Sequence, residues 1–215
     1  MKTLILNGSP KGEKGNTHIF ASQFAKGTGN TCDIKCIVRQ NYHVLAEEVE
    51  KYDTIILVMP LYVHAMPGIV MKLFEQMKPQ PSQNKSIGFI IQSGFVEPAQ
   101  SRYSKRYFEL VSKRLNYRYM GTVIKGGAAG VYMMSDNMNK KLFAELEQLG
   151  SHYAQTGRFS ESVRKRFEKN YELSKSNARF YQFLYKTGIG NMFWNGMLKK
   201  NNAFKERMAK PFWSV

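Results

Sequence analysis

The chain has 215 residues, a formal net charge of +16, 43% hydrophobic and 22% charged residues, two cysteines and four histidines. That length supports one well-cored domain with room for an appended segment, and the apolar and charged fractions are ordinary for a soluble globular protein. No apolar run approaches the roughly 20 residues that span a bilayer, and the first residues pass straight into strand-like sequence without a signal-peptide pattern, so a cytoplasmic location is expected.

Leu4, Ile5 and Leu6 end in Asn7, Gly8, Ser9 and Pro10; a loop of Gly and Lys then reaches Asn16 and Thr17, where helical spacing begins (Ile19, Phe20, Phe24, Ala25). This reads as strand, polar loop and helix start. A helix N-terminus presents unpaired N–H donors and the positive end of the dipole, which suits such a loop to a phosphate. It lacks the Gly-Lys-Ser/Thr of a P-loop and the spacing of the dinucleotide fingerprint. A mononucleotide phosphate is the sharper reading, and a plain strand-to-helix turn is the alternative.

Cys32, Ile34, Cys36 and Val38 alternate with Asp33, Lys35 and Arg39, as in an edge strand. On a strand the two cysteines lie about 13 Å apart, too far for a disulfide between them, and read as core thiols. His18, His43, His64 and His152 show no metal-ligand spacing. After a short helix from Val44 to Lys51, Thr54 to Met59 is apolar without alternation, the mark of a strand buried on both faces. Pro60-Leu61-Tyr62-Val63-His64-Ala65-Met66-Pro67-Gly68 follows, then a helix carrying Ile69, Val70, Leu73, Phe74 and Met77. Such a proline-pinned aromatic loop either lines a flat ring or packs on the protein's own core.

Lys85 to Gln92 gives a fourth strand, followed by Ser93-Gly94-Phe95-Val96-Glu97-Pro98 and a helix marked by Ala99, Tyr103, Tyr107, Leu110 and Val111. Thr122 to Ile124 is a shorter fifth strand, and Gly126 to Gly130 allows close backbone approach to a ligand or a mobile loop. A helix capped by Ser135 or Asp136 carries Met138, Leu142, Leu146, Leu149 and Tyr153 and ends at Gly157. Five strands alternating with five helices predict a doubly wound parallel α/β sheet over residues 1–157, with a helical extension over 158–215. In such a sheet the loops after strands one, three and four meet beyond the C-terminal strand ends, where ligands bind.

GSPKGEKGNT, then PLYVHAMPG with its helix ending Lys72-Leu73-Phe74-Glu75, then Gln92-Ser93-Gly94-Phe95, together resemble the flavodoxin-like NAD(P)H-dependent oxidoreductases that bind FMN. The resemblance spans roughly Met1 to Tyr153 and implies strand order 2-1-3-4-5. It places Ser9, Lys11, Asn16 and Thr17 around the FMN phosphate. Pro60, Leu61, Tyr62, Val63 and Met66 would border the ring, and Ser93, Gly94 and Phe95 would close its other edge. The sequence is also similar to the iron-sulfur flavoprotein branch, but Asn41 to Asp53 holds no cysteine, so no iron-sulfur cluster is expected. Val96 stands where many relatives have proline.

The implied activity is transfer of a hydride from NADH or NADPH to bound FMN and on to a small acceptor: a quinone, a nitro or azo compound, or a flavin. No catalytic acid or base is required; His64 reads as a structural histidine before a proton donor. The competing readings are an FMN electron carrier without NAD(P)H activity, and a nucleic-acid or membrane-surface protein working through its tail.

From Arg158 onward there are 13 Lys or Arg against 4 Asp or Glu, interleaved with Phe167, Tyr171, Phe180, Tyr181, Phe183, Tyr185, Phe193, Trp194, Phe204, Phe212 and Trp213. Single-stranded nucleic-acid binders and interfacial helices both combine these residue types. The favoured reading docks the aromatics on a second subunit, giving a homodimer; nucleic acid and a membrane surface rank below it.

Overall fold

Five parallel strands form one sheet in the order β2-β1-β3-β4-β5: β1 (Thr3–Asn7), β2 (Cys32–Cys36), β3 (Thr54–Pro60), β4 (Ser86–Gln92) and β5 (Arg118–Lys125). The structure is a computed structural model describing residues 2–169, 171–188 and 191–210. Phe212 and Trp213, and the side chains of Tyr185 and Phe193, lie outside the described residues. β1, β3 and β4 are buried along their whole lengths, which is why their sequences run apolar without alternation.

Helices cover both faces. Helix α1 (Asn16–Gly27), α5 (Asp136–Thr156) and α6 (Glu161–Phe167) lie on one face, where Phe20, Phe24, Leu146 and Val163 pack with Ile56, Val58 and Ile90. Helix α2 (Tyr42–Val49), α3 (Gly68–Gln76) and α4 (Arg102–Arg114) lie on the other, where Leu45, Leu73 and Phe108 pack with Leu57 and Phe89. Phe108 stacks on Phe89 with centroids 4.3 Å apart, and burying a ring of that size contributes about 2 kcal/mol.

Several expectations change. Ser104, Phe108, Val111 and Ser112 form the inner face of α4, while Tyr103, Tyr107 and Leu110 point to solvent. Both serines satisfy their hydroxyls on that inner face, Ser104 donating to His64 O at 3.1 Å and Ser112 to Phe108 O at 2.6 Å, and Phe108 outweighs the tyrosines as an anchor. Met138 on α5 is likewise exposed. β2 is an edge strand, so Cys32 and Cys36 are half-buried free thiols rather than core residues, and Ile37 beyond the strand takes the core position. β5 is longer than its apolar segment because an edge strand needs burial on only part of its length; Arg118 and Tyr119 belong to it.

The compact first unit runs through Glu172, past the expected boundary at Gly157. Phe159, Val163 and Phe167 are the reason: all three are buried in the α1/α5 core, so α6 completes the sheet's cover. The second unit, Leu173–Val215, contains α7 (Lys175–Lys186) and α8 (Asn191–Lys200). Among the described residues no helix is long and apolar enough to cross a membrane.

Candidate functional site

Strand order reverses between β1 and β3, and a cleft of about 190 Å³ opens there beyond the C-terminal strand ends. The loop after β1 forms one side, contributing Ser9, Lys11, Gly15, Asn16 and Thr17. Asn7 shapes this loop from within. Fully buried, it donates from Nδ2 to Gly12 O at 2.9 Å and accepts from Ser9 N–H at 3.0 Å, while Lys11 N–H donates to Ser9 Oγ at 3.2 Å. The turn passes through Gly12 at φ 58°, where glycine is favoured.

Helix α1 then starts with Gly15 as its cap, and no side chain of that cap accepts from the first turn. The helix therefore brings to the cleft N–H donors and the positive end of its dipole. Buried Thr17 accepts at Oγ1 from Gln92 Nε2 at 3.3 Å; a hydroxyl accepting there still has a proton to donate. Cys36 lies behind the loop, its Sγ 3.5 Å from Asn7 Nδ2. Burial first, and Glu13 second, push its pKa above the ordinary thiol value despite the Asn7 contact, so it is no thiolate at neutral pH.

The far side comes from β3, β4 and β5. Pro60, Leu61 and Tyr62 line the cleft, and Leu61 N–H donates to Gln92 O at 2.9 Å, tying the third loop to the fourth. Tyr62 and Ala65 exchange two 2.9 Å backbone hydrogen bonds around a turn in which Val63 (φ 48°) and His64 (φ 62°) are both left-handed. Gln92, Ser93 and Gly94 follow from the β4 end. The β5 loop is fastened to them: Gly127 N–H donates to Phe95 O and Ala128 N–H to Ser93 O, each at 2.7 Å. Gly126 sits where a Cβ would come within 2.4 Å of Val96 O, so the small residues here serve the approach of one loop to another. Lys125 Nζ donates to Gly126 O at 2.8 Å; burial lowers its pKa from the ordinary lysine value, with Glu145 acting in the opposite direction.

Nine expected residues are brought together: Ser9, Lys11, Asn16, Thr17, Pro60, Leu61, Tyr62, Ser93 and Gly94. Val63, Met66 and Phe95 do not line the cleft. Val63 rides outward on the turn, 89% exposed; Met66 packs against the α2/α3 core; Phe95 stacks on His64, with rings 5.4 Å apart and 7° from parallel. That stack, and a hydrogen bond from Ser104 Oγ to His64 O at 3.1 Å, give His64 a structural place.

The sequence reading did not select Gly15, Gln92, Ala129 or Tyr132, which also line the cleft. Asn16 explains Tyr132: its Nδ2 donates to Ala128 O at 2.7 Å and its Oδ1 accepts from Tyr132 N–H at 2.8 Å, pinning the β5 loop across the start of α1. The Tyr132 ring then lies 5.7 Å from Lys11 Nζ, within cation–π reach. An aromatic just past a run of small residues was the available signal.

No protein-family model and no curated protein matches this sequence. Solved structures do. An NADPH-quinone reductase from P. pentosaceus is 17% identical with a TM-score of 0.53, covering 69% of this chain and 96% of its own. Trp repressor binding protein from Bacillus subtilis is 18% identical with a TM-score of 0.56, covering 69% and 97%. General stress protein 14 from Treponema denticola, in complex with FMN, is 13% identical with a TM-score of 0.53, covering 68% and 98%. With the strand order and the cleft at the reversal point, this likeness makes the fold of the chain flavodoxin-like.

Proposed function

We propose that the cleft binds FMN by its phosphate end and that the chain is an FMN-dependent oxidoreductase, taking a hydride from NADH or NADPH and delivering it to a small acceptor such as a quinone, an azo or nitro compound, or a flavin. One observation carries the reading: the β1 loop and the uncapped start of α1 gather hydroxyls, N–H donors and a lysine at one end of the cleft, while Pro60, Leu61 and Tyr62 give the other end an apolar and aromatic wall. That donor set fits a phosphate dianion, and that wall fits a flat ring. The fold supports the reading, as do the neighbours, one named as an NADPH-quinone reductase and one holding FMN.

The cofactor would supply the hydride chemistry. The chain's residues bind and orient. Ser9 and Thr17 donate hydroxyl hydrogens, the first turn of α1 adds N–H groups, and Lys11 adds charge at the phosphate. Tyr62, half-exposed, forms one wall. The ring end of the cleft, walled by this half-exposed tyrosine, leaves a face open to a second reactant. With a single open face, donor and acceptor take turns and the kinetics are ping-pong.

The test is a visible spectrum of the full chain after incubation with FMN and removal of excess, followed by anaerobic NADH and then NADPH. Retained flavin bands that bleach with either nucleotide are the expected result. A protein that takes up no FMN overturns the proposal. Bound FMN that neither nucleotide reduces makes the chain an electron carrier.

A further inference from the structure

We infer that the second unit is a membrane-surface anchor whose helix α7 lies in the headgroup region of an anionic phospholipid bilayer. Between Leu173 and Lys210 the sequence has 8 Lys or Arg and one acidic residue, Glu206. Within α7 the two chemistries are separated. Lys175, Arg179, Gln182 and Lys186 recur at i, i+4, i+7 and i+11 and form one exposed stripe. Phe180, Tyr181 and Leu184 fall on the opposite side. Phe180 is 57% exposed and Tyr181 45% exposed, while Phe183, 60% exposed, borders the basic stripe four residues after Arg179.

Exposed aromatic groups this dense mark an interaction surface. Three occupants compete, and the arrangement separates them. A single-stranded nucleic acid stacks its bases on aromatics while its phosphates pair with neighbouring cations, which needs both on one face. α7 puts Phe180, Tyr181 and Leu184 opposite its cations and only Phe183 beside them, too few for a stacking track along the basic stripe. A second copy of the chain would bring another unit carrying the same positive excess against this one, and like charge opposes that contact. An anionic bilayer answers both features: the aromatic side enters the acyl boundary while Lys175, Arg179 and Lys186 reach the headgroups from the other side.

The experiment uses the full chain and vesicles of phosphatidylcholine with or without about one-third phosphatidylserine. Sedimentation measures binding, and Trp194 and Trp213, the only tryptophans, report by fluorescence. Partitioning at least about tenfold stronger on the phosphatidylserine vesicles is expected, with a blue shift and reversal by high salt. Two variants must each lower it about tenfold: Phe180→Ser with Tyr181→Ser, which leaves charge unchanged, and Lys175→Glu with Arg179→Glu and Lys186→Glu. A thermal melt matching the parent shows that the first unit stays folded in both. Three outcomes overturn the assignment: equal binding to both vesicles, parent-like binding by the aromatic variant, or no vesicle binding while the same aromatic variant abolishes either oligonucleotide binding or self-association.

Discussion

The loop after β1 and the turn after β3 both face the cleft, but they are held in opposite ways. In the first, Asn7 and Ser9 are buried, hydrogen bonds run within the loop, and the left-handed position falls on Gly12. In the second, the left-handed positions fall on Val63 and His64, which carry the full steric cost of an L side chain there. The turn persists because its neighbours fix it: the paired hydrogen bonds of Tyr62 and Ala65, the Ser104 bond to His64 O, and the Phe95 ring stacked on His64. One end of the cleft is an unstrained backbone scaffold. The other stores strain at the mouth of the site, the kind of place where strain is tolerated for function.

If that division is right, the strained side must depend on distant bracing, and Gly126 is where to break it. An added Cβ there would sit 2.4 Å from Val96 O and 2.8 Å from Phe95 O, both backbone atoms with no flexible side chain to give way. Gly126→Ala is expected to push the Phe95 segment off the β5 loop, break the Gly127–Phe95 hydrogen bond and withdraw support from His64. The expected loss is about 3 kcal/mol, read as a lower urea midpoint at constant slope. A midpoint within error of the parent's means that the loops are not interlocked as described.

The smaller effects lie at the scaffold end and discriminate between ligands. Lys11→Met is expected to weaken FMN binding about tenfold while leaving riboflavin unchanged, because riboflavin has no phosphate for the lysine to meet. Tyr132→Ala, which removes the ring beside Lys11 Nζ, is expected to cost about threefold on FMN alone, and Tyr132→Phe nothing, since the contact is with the ring. Equal losses for FMN and riboflavin would move Lys11 away from the phosphate.

The same contrast governs what was legible in the sequence. The sheet was readable because β1, β3 and β4 are buried runs with nothing else to be, whereas the order of its strands came only with the resemblance carried by the loop motifs. Ser9, Lys11, Asn16 and Thr17 are expected through the resemblance, and they line the cleft because a loop backbone and a helix start are placed by residue type and position in the chain. The ring side was less legible. Whether Val63 or Met66 faces a ligand depends on a tight turn that reverses the chain between them, and that turn uses none of the Gly, Asn or Asp that announce such a geometry. Tyr132 was harder to place for another reason: the aromatic past the small residues is visible, but its position depends on Asn16, far away in sequence. The inner face of α4 was hidden similarly, since the outward tyrosines carry a stronger apolar signal than the buried Ser104 and Ser112.

The mildest perturbation sharpens the comparison most. A left-handed L residue costs about 1–2 kcal/mol, and a β-branched one sits at the high end. Glycine removes that cost but gives back roughly 0.5–1 kcal/mol in unfolded-chain entropy. The Val63 side chain, 89% exposed, has little burial to lose. Val63→Gly is therefore expected to stabilise the chain by about 1 kcal/mol, a rise of roughly 3 °C in Tm for a domain of this size. A fall in Tm would mean that the turn is not strained at Val63. A rise accompanied by weaker flavin binding would show that the strained backbone is kept because it holds Tyr62 at the cleft; a rise with binding unchanged would make the strain incidental to the site.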